Sequence, residues 1–284
     1  MADGTKTRVV LAEPLTREAF APFGDVIENP RPDLHPFAAA SAAGSSTALP
    51  FDGISANQGS AIKYQHVSRQ LNLYPQAPSG VPGVSVMNMF VCAARVSIPP
   101  SGGSSSSSSS SSVSLPSKNP TTFAVRVLER HPYTTQTFIP LSDPADPRKS
   151  RHYLVIVAPT LPPGPNDRDD FPVPSRCDSA QYRRPLPGRG LPDLARLRAF
   201  VATAPQQAVT YGAGTWHAPM VTLGEAETSL DFLVVQFANG VAVEDCQEVY
   251  FGSPDAGGSA ETRVIVQLRP LPEGASAGSK PSKL

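Results

Sequence analysis

In the stretch TTFAVRVLERH, apolar residues fall at every second position before the chain turns polar. Successive side chains of a β-strand point to opposite faces. The spacing therefore predicts a strand with Phe123, Val125, Val127, Glu129 and His131 on one face, and Ala124, Arg126, Leu128 and Arg130 on the other. HYLVIVAPT is apolar on both faces, which predicts a central strand. QQAVTY, APMVTL, LDFLVVQF and GVSVMNMFVCAARVSI supply further strands. Helical spacing is scarce. LPDLARLRAFVAT predicts one helix, with Pro192 and Asp193 in its first turn and Leu194, Leu197 and Val201 along one side. LTREAFAPFGDVIE predicts a second, short helix that Thr16 caps and Gly24 ends. Many short strands with few helices predict a mainly β, closed or double-sheet antiparallel fold, and the mouth of such a barrel is where small-ligand sites lie.

Composition sharpens this picture. Thirty-two prolines and 21 glycines in 284 residues favour turns over long helices. The serine-rich run between two strands cannot bury enough apolar surface to order itself. It reads as a disordered insertion near 99–120, and further insertions are expected near 38–50 and 161–190. Residues 1–260 then form a single domain, and 261–284 a C-terminal segment with a flexible tail. Lys plus Arg and Asp plus Glu number 24 each, so the chain has no net charge with which to neutralise a nucleic acid. No apolar run is long enough for a membrane helix. Cys92, Cys177 and Cys246 are few, odd in number and far apart, which argues against a disulfide scaffold and for a reducing compartment. The start lacks the apolar core of a secretory signal. The closing Ser282-Lys283-Leu284 reads as a peroxisomal import signal, which leads us to expect an import receptor as a partner.

The candidate chemistry sits where the alternating strand turns polar. If the face of Phe123, Val125 and Val127 is core, Glu129 and His131 point inward at the strand end. An inward acid and imidazole need partners. Gln136 follows after four intervening residues. This Glu-x-His-x4-Gln outline resembles the first metal motif of the cupins, His-x-His-x4-Glu, with two positions altered. The glycine-rich turn YGAGTWHAP supplies His217 as the cupin pattern's further histidine. Glu129, His131, Gln136 and His217 thus offer O and N ligands for a divalent ion. They serve equally as hydrogen-bonding and acid–base groups that meet a substrate directly.

LERHPYTTQTFIPL, LPDLARLRAFVATAPQQAVTYGAGTWHAPM and DFLVVQFANG together resemble the ureidoglycolate lyase family, as do LAEPLTREAFAPFGDVIE and NQGSAIKYQHV nearer the start. The resemblance runs over roughly residues 9–251, interrupted by the insertions, whose length suggests a eukaryotic, fungal form. It implies a cupin-like double-stranded β-barrel, or jelly roll, and a homodimer. It also implies cleavage of (S)-ureidoglycolate to glyoxylate and urea, within allantoin and purine breakdown. That chemistry needs acid–base groups but no redox cofactor, which leaves a metal ion optional. On this reading His131 and His217 face the substrate, Glu129 orients an imidazole or acts as the second acid–base group, and Gln136 hydrogen-bonds the ureido group. Lys63, with Tyr64 and Asn57 near it, is assigned to the substrate carboxylate. Asp231, Trp216 and Gln236 are further site candidates, and His66 a weaker one. His35 and His152 are read as surface or structural. Two rivals remain. One is a ureidoglycolate amidohydrolase that releases ammonia, and the other is a non-catalytic cupin that binds a small carboxylate.

Overall fold

The computed structural model describes residues 6–41, 48–96, 121–143, 145–165, 167–176, 184–251 and 262–269. In chain order the first elements are β1 (Lys6–Leu11), β2 (Glu13–Pro14), α1 (Arg17–Phe20), β3 (Gly24–Ile27) and α2 (Pro36–Ser41). They are followed by β4 (Ile54–Ala56), β5 (Ala61–Lys63) and the long β6 (Val84–Val96). The middle of the chain gives β7 (Thr122–Val125), β8 (Val127–Arg130), β9 (Gln136–Pro140), β10 (His152–Ala158), β11 (Arg198–Thr203), β12 (Ala208–Tyr211) and β13 (Trp216–His217). The last elements are β14 (Val221–Leu223), β15 (Ser229–Ala238), α3 (Ala242–Asp245), β16 (Gln247–Tyr250) and β17 (Thr262–Gln267). The expectation of a mainly β fold is met.

Strand β10 is the spine, as its two apolar faces predict. It pairs antiparallel with β11, β13 and β14. Its alternate residues enter two different cores. Leu154, Ile156 and Ala158 join a core with Val10, Phe123, Val125, Leu128, Trp216, Val264 and Val266. Tyr153, Val155 and Val157 join another with Phe20, Phe138, Phe200, Val209, Tyr211, Phe232 and Val234. The molecule is therefore three layers deep. The small sheet β1-β17-β7 backs the sheet around β10, and that sheet closes on β6-β15-β9-β12-β3 to form the double-sheet body. Each fully buried large apolar side chain contributes about 1.5–3 kcal/mol, and β10 supplies such residues to both interfaces.

Several expectations are corrected. LPDLARLRAFVAT is not a helix. Asp193 caps a single 3-10 turn at Leu194–Arg196 by accepting from the Ala195 N–H, and the chain then extends as β11. Pairing with β10 places Ala199 in one core and Phe200 and Ala202 in the other, so sheet pairing overrides local helix propensity. The short helix α1 is capped by Thr16 as expected, but it ends at Phe20. Gly24 instead opens β3 opposite Tyr211, where a Cβ would clash with the Thr210 carbonyl. The predicted strand Thr121–His131 is two strands, broken at Arg126, whose carbonyl accepts from the Phe251 N–H. Beyond the break Leu128 shares the core of Phe123 and Val125, so Phe123, Val125 and Glu129 do not share a face.

The insertions and the C-terminal segment also differ from expectation where they are described. Residues 36–41 are helical. The proline-rich segment folds back, with Arg168 N–H donating to the Arg189 carbonyl and Phe171 buried against Trp216. Thr262–Gln267 pair with both β1 and β7. The serine-rich run and the Ser282-Lys283-Leu284 tail lie outside the described residues. Cys92 and Cys246 are free thiols.

Candidate active site

Two neighbouring strands build the site. In the β8–β13 pair, His217 stands opposite Glu129. Trp216 and Leu128, their sequence neighbours, point into the backing core, so strand alternation turns His217 and Glu129 toward the interior of the double sheet. There the Tyr211 ring, part of the interior core, stacks on the His217 ring at 4.0 Å and 10°. His131 follows β8 directly, with its ring centroid 5.5 Å from that of His217. The glycine turn before β13 secures this pairing, because the Gly214 N–H donates to the His131 carbonyl. Gly214 has φ +72°, a left-handed conformation that costs glycine little.

Both imidazoles are fixed in the same sense. Their Nδ1 atoms lie 2.6 Å and 2.9 Å from the backbone carbonyls of Asp245 and Thr215. A carbonyl can only accept, so each Nδ1 carries the proton and each Nε2 presents its lone pair. Neither Nε2 has a hydrogen-bond partner, and both are buried. The Glu129 carboxylate lies 3.5 Å from the His217 Nε2. The ligand atoms of Glu129, His131 and His217 all fall within 4.8 Å of one another. Three electron-pair donors converging with no hydrogen to share repel one another unless a proton or a cation sits among them. A backbone carbonyl that holds Nδ1–H is also the usual outer support of a metal-ligating histidine. The donor set therefore fits a divalent ion.

The titrating groups are shifted to match. Burial raises the Glu129 carboxyl, but the His217 imidazole beside it and, less, that of His131 outweigh burial and lower its pKa overall. Burial, reinforced by His217, pushes His131 down to about 4, so it is neutral near pH 7. Burial, reinforced by Glu129 beside it, raises the Tyr211 phenol and keeps it protonated. Cys246, which groups with Glu129 and Glu248, is pushed up to about 12 by burial and then by Glu129, so it stays a thiol.

Among the other expected residues, Gln136 and Gln236 meet, with Gln136 Nε2 donating to Gln236 Oε1 at 2.7 Å. This leaves the buried Gln136 Oε1 without a partner, as a further donor atom facing inward. Trp216 is fully buried on the opposite side of β13, under the Arg130 guanidinium at 4.4 Å. Asp231 pairs with Lys149 at 2.7 Å, and alternation on β15 sets it opposite to the core residue Phe232. Lys63 and Asn57 are exposed on the β4–β5 hairpin, which packs on α2 and its own 57–59 turn. Tyr64 adjoins that hairpin, with its hydroxyl buried and unpartnered. The structure thus brings together Glu129, His131 and His217, joins Gln136 and Gln236 as a second pair with Gln136 opposite Tyr211, and leaves Lys63, Tyr64, Asn57, Asp231 and Trp216 outside the cluster. Sequence reasoning missed Tyr211 and the Asp245 carbonyl. Only the nearness of Tyr211 to the glycine turn pointed to it, and nothing pointed to the carbonyl.

The mainly β double sheet is consistent with a cupin-like fold, and carboxylate and imidazole donors converge inside it. A sequence profile described as ureidoglycolate lyase matches residues 7–256. A ureidoglycolate lyase of Schizosaccharomyces pombe is 33% identical over 249 residues, covering 88% of this chain and 95% of the relative. One of Saccharomyces cerevisiae is 31% identical over 251 residues, covering 87% and 96%. One of Burkholderia mallei is 29% identical over 223 residues, covering 78% and 79%. The chain belongs to the ureidoglycolate lyase family.

Proposed function

We propose that this protein is a ureidoglycolate lyase that cleaves (S)-ureidoglycolate to glyoxylate and urea at the Glu129, His131 and His217 cluster. The observation that carries this reading is the convergence of two oriented imidazole lone pairs and an ionised carboxylate in one interior position. The substrate carbon bears a hydroxyl, a carboxylate and a ureido nitrogen. As the hydroxyl proton leaves, its electron pair forms the aldehyde C=O, the C–N bond breaks, and the departing nitrogen takes a proton to give neutral urea. Glu129 is ionised at neutral pH and suits proton acceptance. Its partner His217, 3.5 Å away, suits carrying that proton to the nitrogen. His131, neutral near pH 7, acts as an electron-pair donor rather than as an acid. Gln136, held by Gln236, hydrogen-bonds the ureido group. Alternatively, Glu129, His131, His217 and Gln136 would together hold a divalent ion, which would polarise the hydroxyl and anchor the carboxylate in place of the Glu129–His217 proton relay. The test is purified protein with (S)-ureidoglycolate, before and after chelation, with urea, ammonia and glyoxylate quantified. Failure to form glyoxylate under both conditions overturns the lyase reading. Ammonia in place of urea makes the protein an amidohydrolase. Full activity after complete chelation removes the ion.

The homodimer belongs to the same proposal. On the outer face of β6, Met87, Met89 and Val91 are 69%, 59% and 69% exposed, beside Leu233 and Val235 of β15. A contiguous apolar sheet face of this kind is a protein-interaction surface. Met89→Glu should convert a dimer measured by light scattering into a monomer, and a wild-type monomer would refute the assignment. Peroxisomal import through Ser282-Lys283-Leu284 is checked by microscopy of a fluorescent fusion with and without those residues.

A further inference from the structure

A large cleft lies apart from the histidine site. It has a volume of about 1570 Å³ and runs between β1, the Leu194–Arg196 turn and the segments around residues 66–71 and 184–188. Arg8, Arg69, Arg184, Arg196 and Arg198 all line it, and Asp25 is the only carboxylate that does. The chain as a whole carries equal numbers of acidic and basic residues, so this concentration of one sign is local. Two of the arginines are neutralised, Arg184 by Asp25 at 2.5 Å and Arg198 by Glu13 at 2.9 Å. Arg8 donates to the Ala195 carbonyl, while its buried Nε has no partner. Arg69 and Arg196 are exposed and have no acidic partner among the described residues. Three guanidinium groups therefore face one concave space with no carboxylate assigned to them. Between them the walls are mixed, with Pro22, Phe23, Pro163, Pro187 and Leu197 supplying apolar stretches beside Ser68, Gln70 and Thr160.

We propose that this cleft binds a small, multiply charged organic anion bearing carboxylate or phosphate groups, at a site separate from the histidine cluster. The planar guanidinium fork matches both kinds of oxygen acid. A cleft with low-dielectric walls strengthens such pairing beyond what a flat surface gives. The two sites share one wall. Gly214 and Thr215 line the cleft, while the Gly214 N–H holds the His131 carbonyl and the Thr215 carbonyl holds His217 Nδ1. An occupant of the cleft thus rests against the turn that orients both imidazoles.

The test is direct and does not depend on the lyase reading. Full-length protein is titrated calorimetrically with citrate and, separately, with pyrophosphate, at about 150 mM salt to screen diffuse attraction. Saturable binding of one probe per chain is expected, and the stronger probe names the carboxylate or phosphate class. The double variant Arg69→Ala/Arg196→Ala removes two exposed side chains that touch neither histidine, so it should fold normally. It should weaken the probe at least about tenfold, the scale of a lost charge-assisted contact, and leave basal turnover within about twofold of wild type, as surface substitutions do. Binding in His217→Ala should be unchanged. Three results overturn the proposal: neither probe saturates, the double variant binds like wild type, or His217→Ala abolishes binding.

Discussion

The unpaired state of the His131 lone pair makes a quantitative claim about stability. An unfolded histidine titrates near about 6.5, whereas burial holds folded His131 at about 4. The folded pKa is depressed, so as pH falls the unfolded chain takes the proton first. The stability tied to neutral His131 is complete above about pH 6.5, is lost as pH falls towards about 4, and changes no further below that. The difference between the two values corresponds to about 3 kcal/mol. Glu129 acts elsewhere on the scale. Its folded pKa is also lowered, so its contribution is present above the ordinary carboxylate value and lost only as pH falls below it. The perturbation is His131→Asn, which removes the titrating ring and keeps a side-chain N–H that can reach the Asp245 carbonyl. The assay is urea unfolding of both proteins at about pH 7.5 and about pH 4.5, with chelator present so that no ion binding adds to the difference. Wild type should lose about 2–3 kcal/mol more than the variant between these conditions. Equal losses would show that His131 is not held neutral by burial, and the reading of its Nε2 as a fixed lone pair would fail with them.

Glu129→Gln should lower turnover by about 10²- to 10⁴-fold, the range of acid–base catalysis, and lower the melting temperature only slightly, because the lowered pKa of Glu129 makes its ionised form a modest contributor to stability. Comparison of kcat with the thermal midpoint separates the two effects. Trp216→Ala should cost about 3–5 kcal/mol of unfolding free energy in a denaturant titration and lower kcat, through the Glu129–His217 register that its contact with Arg130 sustains, while leaving KM near wild type, since the ring packs behind the site. A raised KM with intact stability would put it in contact with substrate. Lys63→Met should change kcat/KM by less than about threefold, as an exposed substitution away from special features does, and a loss of about tenfold or more would restore Lys63 as a substrate ligand.

The sequence pattern showed the spine of the fold but not its layering. HYLVIVAPT is apolar at every position, and such a strand must have both faces covered. What period two could not show was that the two faces belong to different cores, one of them completed by Thr262–Gln267. The error over LRAFVAT has the same origin. Its leucine and two alanines satisfy a helix locally, and only the open edge of β10, distant in sequence, makes the strand more favourable.

The site was legible for a reason that differs from the one the spacing suggested. Continuous alternation from Phe123 carries Glu129 inward on the assumption of one unbroken strand. The chain in fact breaks at Arg126 and passes from the backing sheet to the middle one. Phe123 and Val125 face the backing core from one side, and Leu128 faces it from the other. Because that core lies between two sheets, an apolar residue on either side of the break looks inward along period two, and the change of layer leaves no trace in the pattern. The same geometry explains why Glu129 and Arg130 have opposite fates. Glu129 enters the double-sheet interior beside His217, while Arg130 enters the backing core over Trp216 and donates to Gln247, Thr160 and the Gly188 carbonyl. Adjacent residues on two adjacent strands, Glu129-Arg130 and Trp216-His217, thus form two polar contacts on opposite sides of one sheet. The outer contact holds β8 against β13 in the register that the inner one needs. Loosening the Arg130–Trp216 stack should therefore disturb the Glu129–His217 distance even though neither residue reaches the site.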